Sequence, residues 1–333
     1  MSNPDGTASG RRRLISAGLA GLVAPWGAAR AQGALNKPIR FVVSQAPGAT
    51  TDATARAFAE HFSQKLGVPV SVDNRPGAGG MIAAQIVANA PPDGTTFLVC
   101  LHTQLAQAPV LLKKPPINPD TDLMPISALT PGVLLGMVRN DLAARTPQEL
   151  VQLSRQRPVT VGNYSIGSGW QMQIAQLIKE TGGQFTLLNY KGTSQVLTDL
   201  AAKQIDVGAG SLLGATPFLQ KNVVRPLVIF SESRSPKLPG IPTWVEAGFT
   251  SPAFKSLLEY NMLLAPAGTS ADVIHRMAEL SVDADAHAPR IRALKDMTGS
   301  EAPVLIGENL RKMIEEVWPT YRTLTRGLGL SQD

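Results

Sequence analysis

The chain has one cysteine, four histidines, and aromatic residues at only 5% of its 333 positions. A lone Cys100 excludes an intramolecular disulfide and any metal site built on several thiolates. It sits in the apolar run TTFLVCL, where a small buried hydrophobe is the expected role. The histidines, His61, His102, His275 and His287, form no H-E-x-x-H motif and no close carboxylate pair with a histidine, so no metal is expected. Three of them fall in helical stretches beside charged residues, which reads as solvated helix faces. No G-x-S-x-G elbow occurs either, and enzymatic chemistry has thin support. No Lys/Arg cluster is interleaved with aromatics, which argues against nucleic acid. Beyond the N-terminus no apolar run approaches the roughly 18 residues of a membrane-spanning helix.

What is present begins with an export signal. Arg11-Arg12-Arg13 precedes LISAGLAGLVA, and Ala29-Arg30-Ala31 supplies the small residues of a cleavage site. Residues 1–31 therefore read as a signal peptide of the Sec or twin-arginine kind, and the expected location is the periplasm. The signal carries four Arg and one Asp, so removing it takes the formal charge from +6 to +3. The basicity is largely signal. The 44% hydrophobic and 17% charged residues are the mix of a packed protein with room for two domains.

Apolar runs of strand length alternate with segments of helical period. IRFVV precedes a helix in which Ala55, Phe58, Ala59, Phe62 and Leu66 make one buried stripe, ended by Gly67. PVSVD, the turn NRPGAGG, the helix MIAAQIVANA and the strand TTFLVCL follow. After the proline-rich KKPPINPDTDLMP the pattern restarts with PVTVGNY, MQIAQLIKETGG, QFTLLNY, QVLTDLAAKQ, IDVGAGS and RPLVIFS. Two further helices, around ADVIHRMAELSVD and ENLRKMIEEVWPTYRTL, are expected to pack back on the first lobe, with Pro319 kinking or ending the second. The reading is an α/β protein of two lobes, each a mostly parallel sheet flanked by helices, joined by crossovers near LLGMVRN and LEYNMLLAP. Lobe 1 is set at 34–136 plus 262–333, lobe 2 at 137–261, with a cleft between them.

Ligands of open α/β sheets sit at strand-to-helix turns. Three turns here combine glycine with hydroxyl residues just before a helix: Ala46 to Asp52, Ser165 to Trp170, and Tyr190 to Gln195. Such helix starts offer unpaired N–H groups and the positive end of the helix dipole, so they suit an anion; ordinary N-capping is the alternative for each alone. Phosphate fits poorly, because GATTD lacks the lysine and spacing of a P-loop. A carboxylate needs only a few amides and a hydroxyl. The candidate ligand-binding residues are Gln45, Ala46, Gly48, Ala49, Thr50, Thr51 and Asp52 in lobe 1. In lobe 2 they are Ser165, Gly167, Ser168, Gly169, Trp170 and Gln173, with Lys191, Gly192 and Thr193. No catalytic residue, metal or cofactor is assigned. If Trp170 lines the pocket, Trp170→Ala weakens binding without unfolding the protein.

From Lys37 to its C-terminus the chain resembles the substrate-binding family of tripartite tricarboxylate transporters, the Bug-type receptors. KPIRFVVSQAPGATTDATAR, VDNRPGAGG, ANAPPDGTTFLV, YKGTSQVLTDLAAKQID, RSPKLPGIPTWVEAGF and LLAPAGTS occur in the family's order and spacing. The resemblance implies a type II periplasmic-binding-protein fold that closes like a hinge over a small carboxylated solute. It implies a monomer that delivers the solute to a membrane transporter of one large and one small subunit. It also implies that the ligand carboxylate is held by the turn Ala46 to Asp52, through waters, and by the Gly-Ser and YKG turns of lobe 2. The sequence departs from the family where the ligand should sit: Ser44-Gln45 opens the first turn, Trp170 to Gln173 follow the second, Gln195 follows YKG, and Gly210 replaces an acid. Those changes predict an altered pocket, with Gln45, Trp170, Gln173 and Gln195 choosing the ligand. The alternatives are a subunit that signals to a membrane kinase, or an exported enzyme on the same fold.

Overall fold

The computed structural model describes residues 35–129, 134–231, 233–255, 259–298 and 302–330. The export signal read at 1–31 lies outside the described residues. Two five-stranded sheets organise the rest. The first contains β1 (Ile39–Val43), β2 (Val70–Asn74), β3 (Thr96–Leu101), β4 (Leu123–Ala128) and β10 (Asn261–Pro266), in the order β2-β1-β3-β10-β4. The second contains β5 (Leu134–Arg139), β6 (Val159–Asn163), β7 (Phe185–Asn189), β8 (Val207–Ser211) and β9 (Val224–Ile229), in the order β7-β6-β8-β5-β9.

Each sheet is mixed rather than uniform. β1 pairs parallel with β2 and β3, whereas β10 runs antiparallel to β3 and β4. β6 pairs parallel with β7 and β8, whereas β5 runs antiparallel to β8 and β9. The reversed strands, β5 and β10, are the two segments read as crossovers. A strand arriving from the other lobe has no helical crossover before it, so nothing forces it parallel. Leu134 to Gly136 pair in the second sheet, and Asn261 pairs in the first. The sheet exchange therefore falls before Leu134 and before Asn261, ahead of the limits 136/137 and 261/262 by three residues and one.

Helices cover the sheets: α1 (Thr50–Leu66), α2 (Met81–Ala88), α3 (His102–Leu111), α4 (Pro147–Gln156), α5 (Gly169–Thr181), α6 (Thr193–Ala201), α7 (Leu212–Gln220), α8 (Ala271–His287), α9 (Pro289–Thr298) and α10 (Gly307–Gly327). The stripe expected on α1 is buried from Ala55 to Phe62 and partly buried at Leu66, and Phe58 and Phe62 join Phe41 and Phe97 in one lobe 1 core. Gly67 closes α1 in the left-handed conformation, φ 70°, with its N–H donating to the Ser63 carbonyl. Cys100 is buried on β3, and burial pushes its thiol pKa up, which keeps it an inert packing residue.

Among the described residues three helices close the chain: α8 and α10 pack on lobe 1 as expected, whereas α9, which escaped the periodicity reading, lies between α1 and α8 of lobe 1 and α7 of lobe 2. Pro319 does not end α10. Leu310, Trp318, Tyr321 and Thr325 are buried along one side of that helix, and this packing carries it past the missing N–H. His61 departs from the expected solvated face. It is 6% exposed, and its Nε2 lies 2.7 Å from Asp283 on α8, which also pairs with Lys65. Among the described residues no helix is long and apolar enough to cross a membrane.

Candidate functional site

The turn after β1 and the turn after β7 meet across the lobes. The Ala46 N–H donates to the Lys191 carbonyl at 3.0 Å, and the Thr50 hydroxyl donates to Ser211 Oγ at 2.8 Å and lies 3.5 Å from Thr193 Oγ1. Thr50, Thr193 and Ser211 mark the starts of α1, α6 and α7, so three helix N-termini converge here. Beside them is a narrow gap, with about 10 Å³ of room for the centre of a water-sized molecule, lined by Gln45, Thr50, Thr51, Leu101, Leu134, Tyr164, Thr193, Glu259 and Asn261. No lysine or arginine lines it. Attraction for an anion at the starts of α1 and α6 rests on backbone N–H groups and helix dipoles.

Gln45 is 2% exposed, Thr51 0% and Asn261 1%, yet Gln45 Nε2, Thr51 Oγ1 and Asn261 Oδ1 have no hydrogen-bond partner. An unpaired buried polar atom costs about 1–3 kcal/mol. All three belong to residues that line the same gap.

Other candidate residues serve the walls. Asp52 accepts from the Gly48 N–H at 2.9 Å, Asn74 Nδ2 at 3.0 Å and Arg56 Nε at 3.1 Å, so it braces its own turn. Burial pushes its carboxyl up, but the Arg56, Gly48 and Asn74 donors outweigh that and hold its pKa below the usual carboxylate range. Ala46, Gly48 and Ala49 shape the same turn, and Gly48, at φ 78°, adopts the left-handed conformation that favours glycine. Gly192 packs against it; a Cβ there would stand 3.0 Å from the Ala49 Cβ. Lys191 is exposed and offers its carbonyl, while its N–H is taken by Gln195 Oε1.

The Gly-Ser turn is occupied by the protein itself. Ser165 accepts from Gln104 Nε2 at 2.7 Å, and the Gly167 carbonyl accepts from Gln107 Nε2 at 2.7 Å, tying lobe 2 to α3. Ser168 caps α5 through the Gln171 N–H and donates to Asn163 Oδ1. The Gly169 N–H donates to Glu259 Oε1 at 2.6 Å. Trp170 and Gln173 turn away from the gap. Trp170 stacks on Phe230 with ring centres 5.3 Å apart, its Nε1 donates to the Gly162 carbonyl, and Gln173 Oε1 accepts from Trp244 Nε1. Both are buried in lobe 2. Tyr164, Ser211, Glu259 and Asn261 were not singled out from the sequence, although a glutamate inside the apolar LEYNMLLAP was a visible signal.

Residues 54–330 match the family model described as tripartite tricarboxylate transporter family receptor. The chain belongs to that family. A UPF0065 protein from the tcbD-tcbE intergenic region of Pseudomonas sp. (strain P51) is 32% identical to this receptor over 323 residues, 95% of this chain and 94% of the relative. The periplasmic binding protein BugD superposes with a TM-score of 0.81 at 27% identity, over 89% of this chain and 99% of BugD. The R. palustris protein Rpa4515, in a structure with adipate, gives 0.81 at 25% identity, over 89% and 98% of the two chains. The two-lobe α/β fold is thus that of periplasmic binding proteins. Among the described residues no cluster of three His, Cys, Asp or Glu is placed to hold a metal.

Proposed function

We propose that this receptor works in the periplasm, capturing a small organic carboxylate between its two lobes and delivering it to a tripartite tricarboxylate-type membrane transporter. The observation that carries the reading is the gap itself: helix N-termini from both lobes and three unpartnered buried polar atoms surround it, with no cationic side chain. A carboxylate satisfies several N–H and O–H donors at once, and charge-assisted bonds of this kind are about twice as strong as neutral ones. The adipate held by Rpa4515 supports the ligand class, and the basic-apolar N-terminus ending at Ala31 supports export. Binding that spans both lobes favours their closed arrangement, and closure would present a surface to the transporter.

The test is a thermal-shift panel on residues 32–333, unfolded and refolded to strip any carried ligand, against mono-, di- and tricarboxylates, amino acids and aromatic acids. A ligand at 100 times its Kd stabilises the folded state by about 2.7 kcal/mol. At least one small carboxylate should raise the midpoint saturably. A folded protein indifferent to the whole panel contradicts the reading.

A further inference from the structure

Glu259 is 7% exposed and lies in the wall of the interlobe gap. Three donors converge on its carboxylate: the Gly169 N–H at 2.6 Å, the Thr103 hydroxyl at 2.9 Å and the Tyr164 hydroxyl at 2.5 Å. It thereby fills the start of α5, the anion position that the Gly-Ser turn would otherwise offer a ligand. Among the described residues no ion pair joins it to Lys, Arg or His; every ion pair found there involves other carboxylates. A carboxylate this deep is costly without a compensating positive charge. Burial accordingly pushes its pKa up, against the pull of its three donors.

The gap is polarised as a result. On the α1 side it is lined by Gln45, Thr50 and Thr51, beside the first N–H groups of the helix. On β10 and the residues just before it stand two acceptors, the unpartnered Asn261 Oδ1 and the Glu259 carboxylate. A dicarboxylate would set its second negative charge against Glu259 in a low-dielectric space, where like charges repel strongly. An ammonium there would meet opposite charge and two acceptors.

We propose that Glu259, with Asn261, makes the gap selective for a carboxylate that also carries an ammonium group, an amino acid in the broad sense, over the matched dicarboxylate. This rests on the reading of the gap as a carboxylate site and narrows it.

The experiment is calorimetric titration of the refolded receptor with three matched pairs, 3-aminopropanoate and succinate, 4-aminobutanoate and glutarate, 5-aminopentanoate and adipate. It is repeated on Glu259→Gln, which keeps the shape and removes the charge. For the best-fitting length the amino acid should bind at least about tenfold tighter than its dicarboxylate, and Glu259→Gln should shrink that ratio by about tenfold or more. The melting midpoint of each unliganded protein confirms that both are folded. A dicarboxylate that binds wild-type protein as tightly as its partner overturns the selectivity while leaving the carboxylate site standing. So does a ratio unchanged in Glu259→Gln. If neither series nor the wider carboxylate panel binds the folded receptor, the carboxylate site falls and the selectivity with it.

Discussion

Trp170→Ala should destabilise the receptor by about 3–5 kcal/mol, the range for removing a buried tryptophan or phenylalanine side chain. The indole is 1% exposed, stacks 17° from parallel on Phe230, and lies 6.4 Å from the Trp244 ring. A Cβ added at Gly136 on β5 would stand 3.3 Å from its six-membered ring, so the sheet surface above it leaves little space to collapse into a cavity. Truncation also removes the hydrogen bond that Nε1 donates to the Gly162 carbonyl. Urea unfolding of the mature chain measures the loss, and ligand affinity measured well below the midpoint should stay within about threefold of wild type. A variant of near wild-type stability that has lost its ligand would place the indole in the gap instead.

Gly192→Leu should act in the opposite way, sparing stability and abolishing tight binding. Gly192 has φ 160° and ψ 165°, an extended backbone that any residue adopts, so the substitution brings no strain of its own. Its neighbour across the cleft is the obstacle: a Cβ would already stand 3.0 Å from Ala49 Cβ and 3.6 Å from Ala46 N. The three further carbons of leucine have no room unless the lobes separate, which breaks the Ala46–Lys191 contact. A ligand then keeps only one lobe. Losing two charge-assisted hydrogen bonds at about 1.5 kcal/mol each weakens binding about 100-fold. Titration calorimetry gives the affinity, and small-angle scattering should show that ligand no longer compacts the protein. Affinity within about threefold of wild type would mean that the solute is not held between approaching lobes.

Much of this was legible because burial imposes period. The β1 run IRFVV and the α1 stripe from Ala55 to Leu66 are one-dimensional patterns, and so were the glycine and hydroxyl residues that place Thr50 and Thr193 at helix starts. What failed depends on partners far along the chain. Asp52 is tied beyond its own turn through Asn74, and Glu259 becomes a buried acceptor only because Thr103, Tyr164 and Gly169 reach it from three elements. Trp170 was readable in principle. It shares the spacing i, i+4, i+7 with Ile174 and Leu177, the buried side of α5, and that period outweighs its place beside a glycine turn. α9 has too few apolar residues in PRIRALKDMT to announce itself, and its place follows from the helices beside it.

The central claim is that backbone N–H groups at the starts of α1 and α6 hold the solute's carboxylate. Amide chemical shifts report on those groups directly. The mature receptor, labelled with nitrogen-15 and deuterated, should be titrated with the tightest binder from the carboxylate panel. Saturable downfield shifts of the Thr50, Thr51 and Asp52 amide protons, together with Thr193 and Ser194, are the predicted result. Saturable binding that leaves those five amides unmoved would contradict the account.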